Sequence, residues 1–365
     1  MPKIVHSRLF QAGLGILLIF LIILVGRQIS FIFQPLVVIF NTLFFPFLIS
    51  GFLFFLIDPV VDWLEEYRLP RWVSILLLYV LIALMLYFLF TTMGAALFRE
   101  VERLIRDIPR QMEQAQHLIA TLQENPFVSH LLTQEPQLID KYADQLTDYL
   151  ERLITSMAGG AGRLFGSAAE AFLVMVAIPF ILFYMLKDGR RWPRALLQAV
   201  PERHRSEAST VMMDVKWGVS AYIQGIVLIC LSVGVLVYVG YRIIGLDYPL
   251  LLAFFSMITN VIPFLGPIIG SIPAVIIGII HSPLMALKVI AVIVVVQQVE
   301  SLLISPQVMS RKLAIGPLTV LLLVLVSGRM AGLIGMILAL PTFVILKITV
   351  QHILIYLRSN YFFTP

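Results

Sequence analysis

A carboxylate inside an apolar run is the first residue to explain. Glu300 lies within Val289 to Ser310, with Gln297 and Gln298 before it and Pro306 after it. Gln297 and Glu300 stand at i and i+3, so a helix presents an amide and a carboxyl on one face. Such a pair offers hydrogen bonds to a polar solute or oxygen ligands to a cation, and the carboxyl also suits a proton carrier. An acid at membrane depth is costly and usually faces a cavity or a partner. The plainer reading is that Glu300 ties helices together, or sits at a span end near water.

A second group, Asn260, Pro263, Gly266, Pro267, Gly270 and Pro273, follows a Pro249-Leu250 pair. Proline lacks an N–H and clashes with the preceding turn, so a helix breaks or kinks there. Carbonyls freed at membrane depth are tolerated only within protein or at a watery cavity, and such breaks often form binding sites in transporters. The alternative is a packing kink or a tight hairpin between two half-spans. A third group is Gly316-Pro317, then Gly328, Arg329, Gly332 and Gly335. Gly328 and Gly332 form a GxxxG, most simply a close-packing device. Arg329 is either an interfacial anchor or a partner for Glu300.

Enzymatic signatures are missing. There is no HExxH, GxSxG, P-loop or GxGxxG, and the six histidines show no metal-ligand spacing. The single cysteine, Cys230, excludes a disulfide within one chain and a Cys-built zinc site. The sequence therefore predicts neither an enzyme nor a cofactor or metal. A net charge of +5 fits the Lys/Arg-rich cytoplasmic loops of membrane proteins better than nucleic-acid binding.

These residues need elements to hold them, and the composition names the solvent. Hydrophobic residues make up 60% of the 365 positions and charged residues 13%, against about 45–50% and about 25% in an average soluble domain. A spanning helix needs about 20 largely apolar residues. Runs of that kind cover Leu9–Gly26, Gln28–Ile57, Trp72–Phe98, Ala171–Leu186, Trp217–Tyr241, Tyr248–Leu287, Val289–Ser310 and Leu313–Leu346. The expected fold is all-α and polytopic, with about eight transmembrane segments, some broken or re-entrant, and one extramembrane helical insertion. Lys3 and Arg8 before the first run resemble a signal peptide, but no small-x-small site follows, so a retained span is expected.

The organisation follows as residues 1–98 (segments 1–3), 99–165 (an amphipathic helical region) and 166–365 (segments 4–8, with a basic loop at 187–216). Residues 187–216 hold seven basic and four acidic side chains, and 99–165 hold seven basic and ten acidic. The positive-inside rule puts the first stretch in the cytoplasm, the second outside and the termini inside. Arg311-Lys312 fits badly if 289–310 spans fully; a re-entrant 289–310, or a split of 313–346 near Gly328-Arg329, would repair it. In 99–157, Val101, Leu104, Ile105, Ile108 and Met112 share a helical face. A hairpin packed on itself is the simplest reading, a subunit-contact or gating domain the sharper one. Phe45–Gly51 and Ile262–Pro267 look distantly alike, which leaves open an internal repeat.

Four motifs now come together: Leu56-Ile57-Asp58-Pro59-Val60; Phe183-Tyr184-Met185-Leu186-Lys187-Asp188-Gly189; Asn260-Val261-Ile262-Pro263-Phe264-Leu265-Gly266-Pro267; and Gln297-Gln298-Val299-Glu300 with Ser305-Pro306-Gln307-Val308-Met309. The last runs into Leu313-Ala314-Ile315-Gly316-Pro317-Leu318. In order and spacing they resemble the autoinducer-2 exporter (AI-2E) family of bacterial polytopic membrane transporters, over about residues 10 to 350. The resemblance implies a multi-pass protein of the bacterial cytoplasmic membrane, with both termini inside, that assembles into homo-oligomers. It implies transport, with members associated with export of autoinducer-2 and others with sodium/proton antiport. It carries Gln297, Glu300, Pro306, Asn260, Pro263 and Gly266 as motif positions.

Three functions compete. The lead is secondary transport or export of a small polar solute, and the second is cation/proton antiport with Glu300 as carrier. The third is a non-transporting scaffold that recruits partners through 99–157 or 187–216. Candidate binding residues are Glu300, Gln297, Gln298 and Asn260. Candidate break or gating residues are Pro263, Gly266, Pro267, Pro306, Gly316 and Pro317.

Overall fold

A computed structural model describes residues 17, 21, 30–124, 168–189, 191–308 and 315–361. The expected first span and the limb after Asn125-Pro126 lie outside these residues, as does Arg311-Lys312. Among the described residues there is no strand. The long helices are α1 (Ser30–Glu66), α2 (Arg71–Leu89), α3 (Ala95–Glu124) and α4 (Ala168–Asp188). The short α5 (Arg191–Gln198) leads to α6 (Arg205–Ile244), α7 (Pro249–Thr259) and α8 (Leu265–His281). Next are α9 (Pro283–Val299), α10 (Ser305–Val308) and α11 (Pro317–Tyr361).

Among the described residues, five helical stretches are long and apolar enough to cross a bilayer: Val37–Glu66, Arg71–Gln111, Glu202–Ile244, Pro283–Val308 and Pro317–Tyr356. Their outer faces expose large apolar side chains, such as Leu81, Leu84 and Phe88 on α2 and Leu228, Leu231 and Val235 on α6. Water would not tolerate so wide an apolar surface, and lipid does. The chain is a helical membrane protein.

Among the described residues, three apolar cores hold the helices. Ile57, Val61, Ile75, Leu182 and Leu186 join α1, α2 and α4. Val233, Val237, Tyr241, Leu252, Ala274 and Val289 join α6 to α7, α8 and α9. Val219, Tyr222, Ile226, Val324, Leu340 and Val344 join the other half of α6 to α11. Helix α6 therefore serves two cores, one towards each of its ends.

Tyr248–Leu287 is not one continuous helix. Pro263 removes a donor, Phe264 takes φ 65°, and the chain reverses between Thr259 and Leu265. The reversal is tight: a Cβ at Gly266 would fall 2.1 Å from the Thr259 carbonyl oxygen, so only glycine fits. Ser256 Oγ donates to the Gly270 carbonyl at 3.0 Å and pins the limbs together. The loose ends of the broken helices bond locally, Ile262 N to Thr259 O at 3.0 Å and Gly266 N to Ile262 O at 2.8 Å. Both roots of this hairpin, Tyr248 and His281, line one cavity, so the chain leaves at the end where it entered. Helix α7, with 11 residues, reaches only about 16 Å, short of a hydrocarbon core of about 30 Å.

Helix α9 then runs through a π turn at Glu300–Ile304 into α10, and Pro283–Val308 is one 26-residue helix. At about 1.5 Å per residue it is longer than a hydrocarbon core of about 30 Å. Gly240 meets Val292, and Val308 packs on the core that contains Ile229, so α9–α10 runs antiparallel to α6. With the hairpin returning to its own end, α10 heads for the Lys216 end of α6.

The stretch 313–346 also splits. Ala331 and Gly332 leave helical geometry, Gly332 at φ 59° and ψ −143°. In one straight helix, residues eight apart are separated by about 12 Å. Here a Cβ at Gly335 would fall 2.1 Å from Ser327 O, and Gly328 packs on Met336. The two halves of α11 therefore fold against one another. The GxxxG glycines serve this reversal and not contact with a separate helix. The proposed repeat partner, Phe45–Gly51, is continuous helix, unlike the broken Ile262–Pro267.

Helix α2 continues through a π turn at Phe90–Gly94 into α3, so the insertion starts as an extension of a span. Its described limb packs on the hairpin root: Leu97, Val101 and Leu104 lie against the core of Tyr248 and Leu251. That differs from a hairpin packed only on itself. Glu100 accepts from Leu251 N at 2.7 Å and caps the start of α7, where a carboxylate also meets the positive end of the helix dipole.

Candidate functional site

The hairpin tip and the π turn of the long helix meet inside the protein. Asn260 ends α7 and is 3% exposed. Glu300 opens the π turn after α9. A π turn adds a residue to the helical repeat and is often found at functional positions; here it follows Gln297 by less than one turn. The side chains of Gln297 and Asn260 both lie beside the Glu300 carboxylate, and both line one small cavity. Its Oε2 is buried and has no hydrogen-bond partner among the described residues. The thiol of Cys230, on α6, is buried.

Beside this cluster is a cavity of about 10 Å³, lined by Tyr241, Ser256, Asn260, Ser271 and Gln297 among apolar neighbours. That is room for about one water molecule. The Tyr241 ring is 0% exposed, and its hydroxyl lies beside Ser256 without a hydrogen bond of good geometry. An unpartnered buried oxygen is costly; two of them, Tyr241 Oη and Glu300 Oε2, mark polar capacity held in reserve. The carbonyl end of α7 and the amide end of α8 converge on the same tip, which adds acceptors and donors at membrane depth.

Of the residues singled out in the sequence, Glu300, Gln297 and Asn260 come together. Pro263, Gly266 and Pro267 form the tip beside them, and Pro267 lines the cavity. Gln298 is exposed and points away from the group. Pro306 lies beyond the π turn, exposed, in α10. Gly316 and Pro317 begin α11 at its exposed start and take no part in the cluster. Arg329 is exposed and makes no ion pair with Glu300. Among the described residues, no group of three or more His, Cys, Asp or Glu could hold a metal.

A second polar cluster escaped the sequence reading. Asp58, 1% exposed, pairs with Arg71 Nη2 at 2.7 Å and with Lys216 Nζ. Arg71 also reaches Asp62 at 2.9 Å and Glu65 at 3.2 Å, and its Nε donates to Leu186 O at 2.6 Å. Lys216 adds Asp62 at 3.1 Å. The network ties α1, α2, α4 and α6. Asp58, Asp62 and Glu65 follow i, i+4, i+7, so one acidic face at the end of an apolar helix was the available signal. A buried charge is tolerable only when paired, and this one is paired twice.

The AI-2E family transporter model matches residues 17–355. "Putative transport protein YueF" of Bacillus subtilis is 40% identical over 334 residues, covering 92% of this chain and 90% of that protein. "Putative transport protein YrrI" of the same organism is 32% identical over 339 residues, covering 93% and 94%. "AI-2 transport protein TqsA" of Escherichia coli is 22% identical over 314 residues, covering 84% and 85%. A match over nearly the whole chain, on a helical membrane fold with a polar cluster at a broken hairpin, is sufficient: the chain belongs to the AI-2E transporter family.

Proposed function

We propose that this protein is a secondary exporter of a small hydroxylated solute, of the autoinducer-2 type, and that Glu300, Asn260 and Gln297 bind it. The observation that carries the reading is the unpartnered Glu300 Oε2 beside the hairpin tip. A carboxylate beside two amides and with free acceptor capacity suits hydroxyl groups, each of which donates and accepts. The name of the relative TqsA supports this solute class. The cavity of about 10 Å³ is too small for such a molecule, so the site is closed here and loading requires the tip at Asn260–Phe264 to move. The protein sits in the bacterial cytoplasmic membrane as a homo-oligomer, with α3 outside, Lys216 inside and both termini inside.

The experiment is counterflow of labelled autoinducer-2 in proteoliposomes that also contain a pH dye. Wild-type protein accumulates the label above empty liposomes, and Glu300→Gln does so about tenfold more slowly, the loss of one charge-assisted hydrogen bond. No accumulation by folded, inserted wild-type protein overturns the reading. Proton movement driven by sodium, abolished in Glu300→Gln, would replace it with cation/proton exchange.

A further inference from the structure

A second polar cavity, of about 140 Å³, lies between α3 and the hairpin root. Its wall comprises Asp107, Arg110, Gln111 and Gln114 from α3, Asp247 and Tyr248 from the turn before α7, and His281 from the end of α8, over a floor of Ile277 and Ile280. Tyr248 is a bulky residue held at φ 54°, a strained conformation that surrounding contacts must enforce. Its hydroxyl donates to Asp107 at 2.7 Å and accepts from Gln111 at 3.3 Å. Burial, and then the Asp107 carboxylate, push this phenol above the ordinary tyrosine range, so it stays a donor. Arg110, Gln114 and His281 line the cavity without a hydrogen bond or ion pair among the described residues. Carboxylates, amides, a guanidinium and an imidazole above an aliphatic floor offer vicinal hydroxyls both acceptors and donors, and give a C–H face something to rest on.

We propose that this cavity is a second binding site, for a small uncharged polyhydroxylated molecule, and that its occupancy fastens α3 to the root of the hairpin. The ligand would bridge Arg110 and Gln114 of α3 to Asp247 and His281 of the hairpin root. The bridge joins two elements that the chain already links through Glu100, Asp107 and Gln111. The solute class rests on the transport reading; the site does not, because it shares no residue with the Glu300 cluster.

The test is hydrogen exchange of the full-length protein in detergent, with D-ribose as the probe. At a concentration ten times its Kd, ribose lowers local opening about tenfold, so amides of 100–111 and 245–252 exchange correspondingly more slowly. Arg110→Ala and His281→Ala, both at exposed positions, keep the wild-type melting temperature and lose the protection. Glu300→Gln keeps the protection while transporting about tenfold more slowly, which separates this site from the transport site. Absence of protection at these segments, protection unchanged in both cavity variants, or protection confined to 256–304 overturns the proposal.

Discussion

The amide of Asn260, at the tip of a hairpin that enters from one end of the protein, lies beside the carboxylate of Glu300, in a π turn of the helix that follows. A hairpin that stops part way and a helix that continues thus share one polar contact at membrane depth. Movement of the tip changes the surroundings of the carboxylate directly, as alternating access requires.

The tip depends on the absence of a side chain at Gly266. A Cβ there would lie 2.1 Å from a backbone carbonyl that cannot swing aside. Gly266→Ala is therefore expected to destabilise the protein by about 1–3 kcal/mol through overpacking. Gly51→Ala, in a helix with open space around the new methyl, is expected to be neutral or to stabilise by about 0.5–1 kcal/mol. Unfolding of both variants in mixed detergent micelles measures the difference, and equal stabilities would contradict the tight reversal.

The Asp58 network makes a different prediction. Asp58→Asn leaves Arg71 and Lys216 facing a neutral group and should cost about 3 kcal/mol, at the low end of the range because Lys216 reaches solvent. Asp58→Leu combined with Lys216→Met should recover part of that loss, since an apolar replacement of a buried pair is often nearly neutral. Melting curves of the single and double variants decide it. A double variant less stable than the sum of the two singles would show that the ion pair is not the unit involved.

Topology can be read with single cysteines after Cys230→Ala. Asp247→Cys and His281→Cys, at the two exposed roots of the hairpin, should both react with an impermeant maleimide added to the α3 side. A cysteine at Met213, exposed near the Lys216 end, should react only from the opposite side. Labelling of positions 247 and 281 from opposite sides would mean that 249–281 crosses the membrane.

The periodicity and length of the apolar runs made the helical membrane fold legible, because lipid leaves the backbone few alternatives. Glu300 and Gln297 were legible too, since an acid in an apolar helix is conspicuous and i, i+3 spacing fixes its neighbour. Where 248–287 turns back was not legible. Proline marks a break but not whether the chain continues or reverses, and Ser256, Gly266 and Gly270 settle that only through contacts across the hairpin. Asn260 could be named as a candidate, but its contact with Glu300 comes from packing. Asp58 looked like part of a motif because its partners, Arg71 and Lys216, come from two other helices. Gln298 was included for its type, yet its place in the helix turns it outward.

The central claim is that Asn260 and Glu300 act as one unit on the transported solute. A double-mutant cycle in autoinducer-2 counterflow tests it most directly, using Asn260→Ala, Glu300→Gln and the pair in proteoliposomes at equal insertion. Residues that share a partner should couple by about 1 kcal/mol or more, so the double variant should be little slower than the worse single one. Strictly multiplicative losses, or single variants that transport at the wild-type rate, would contradict the account.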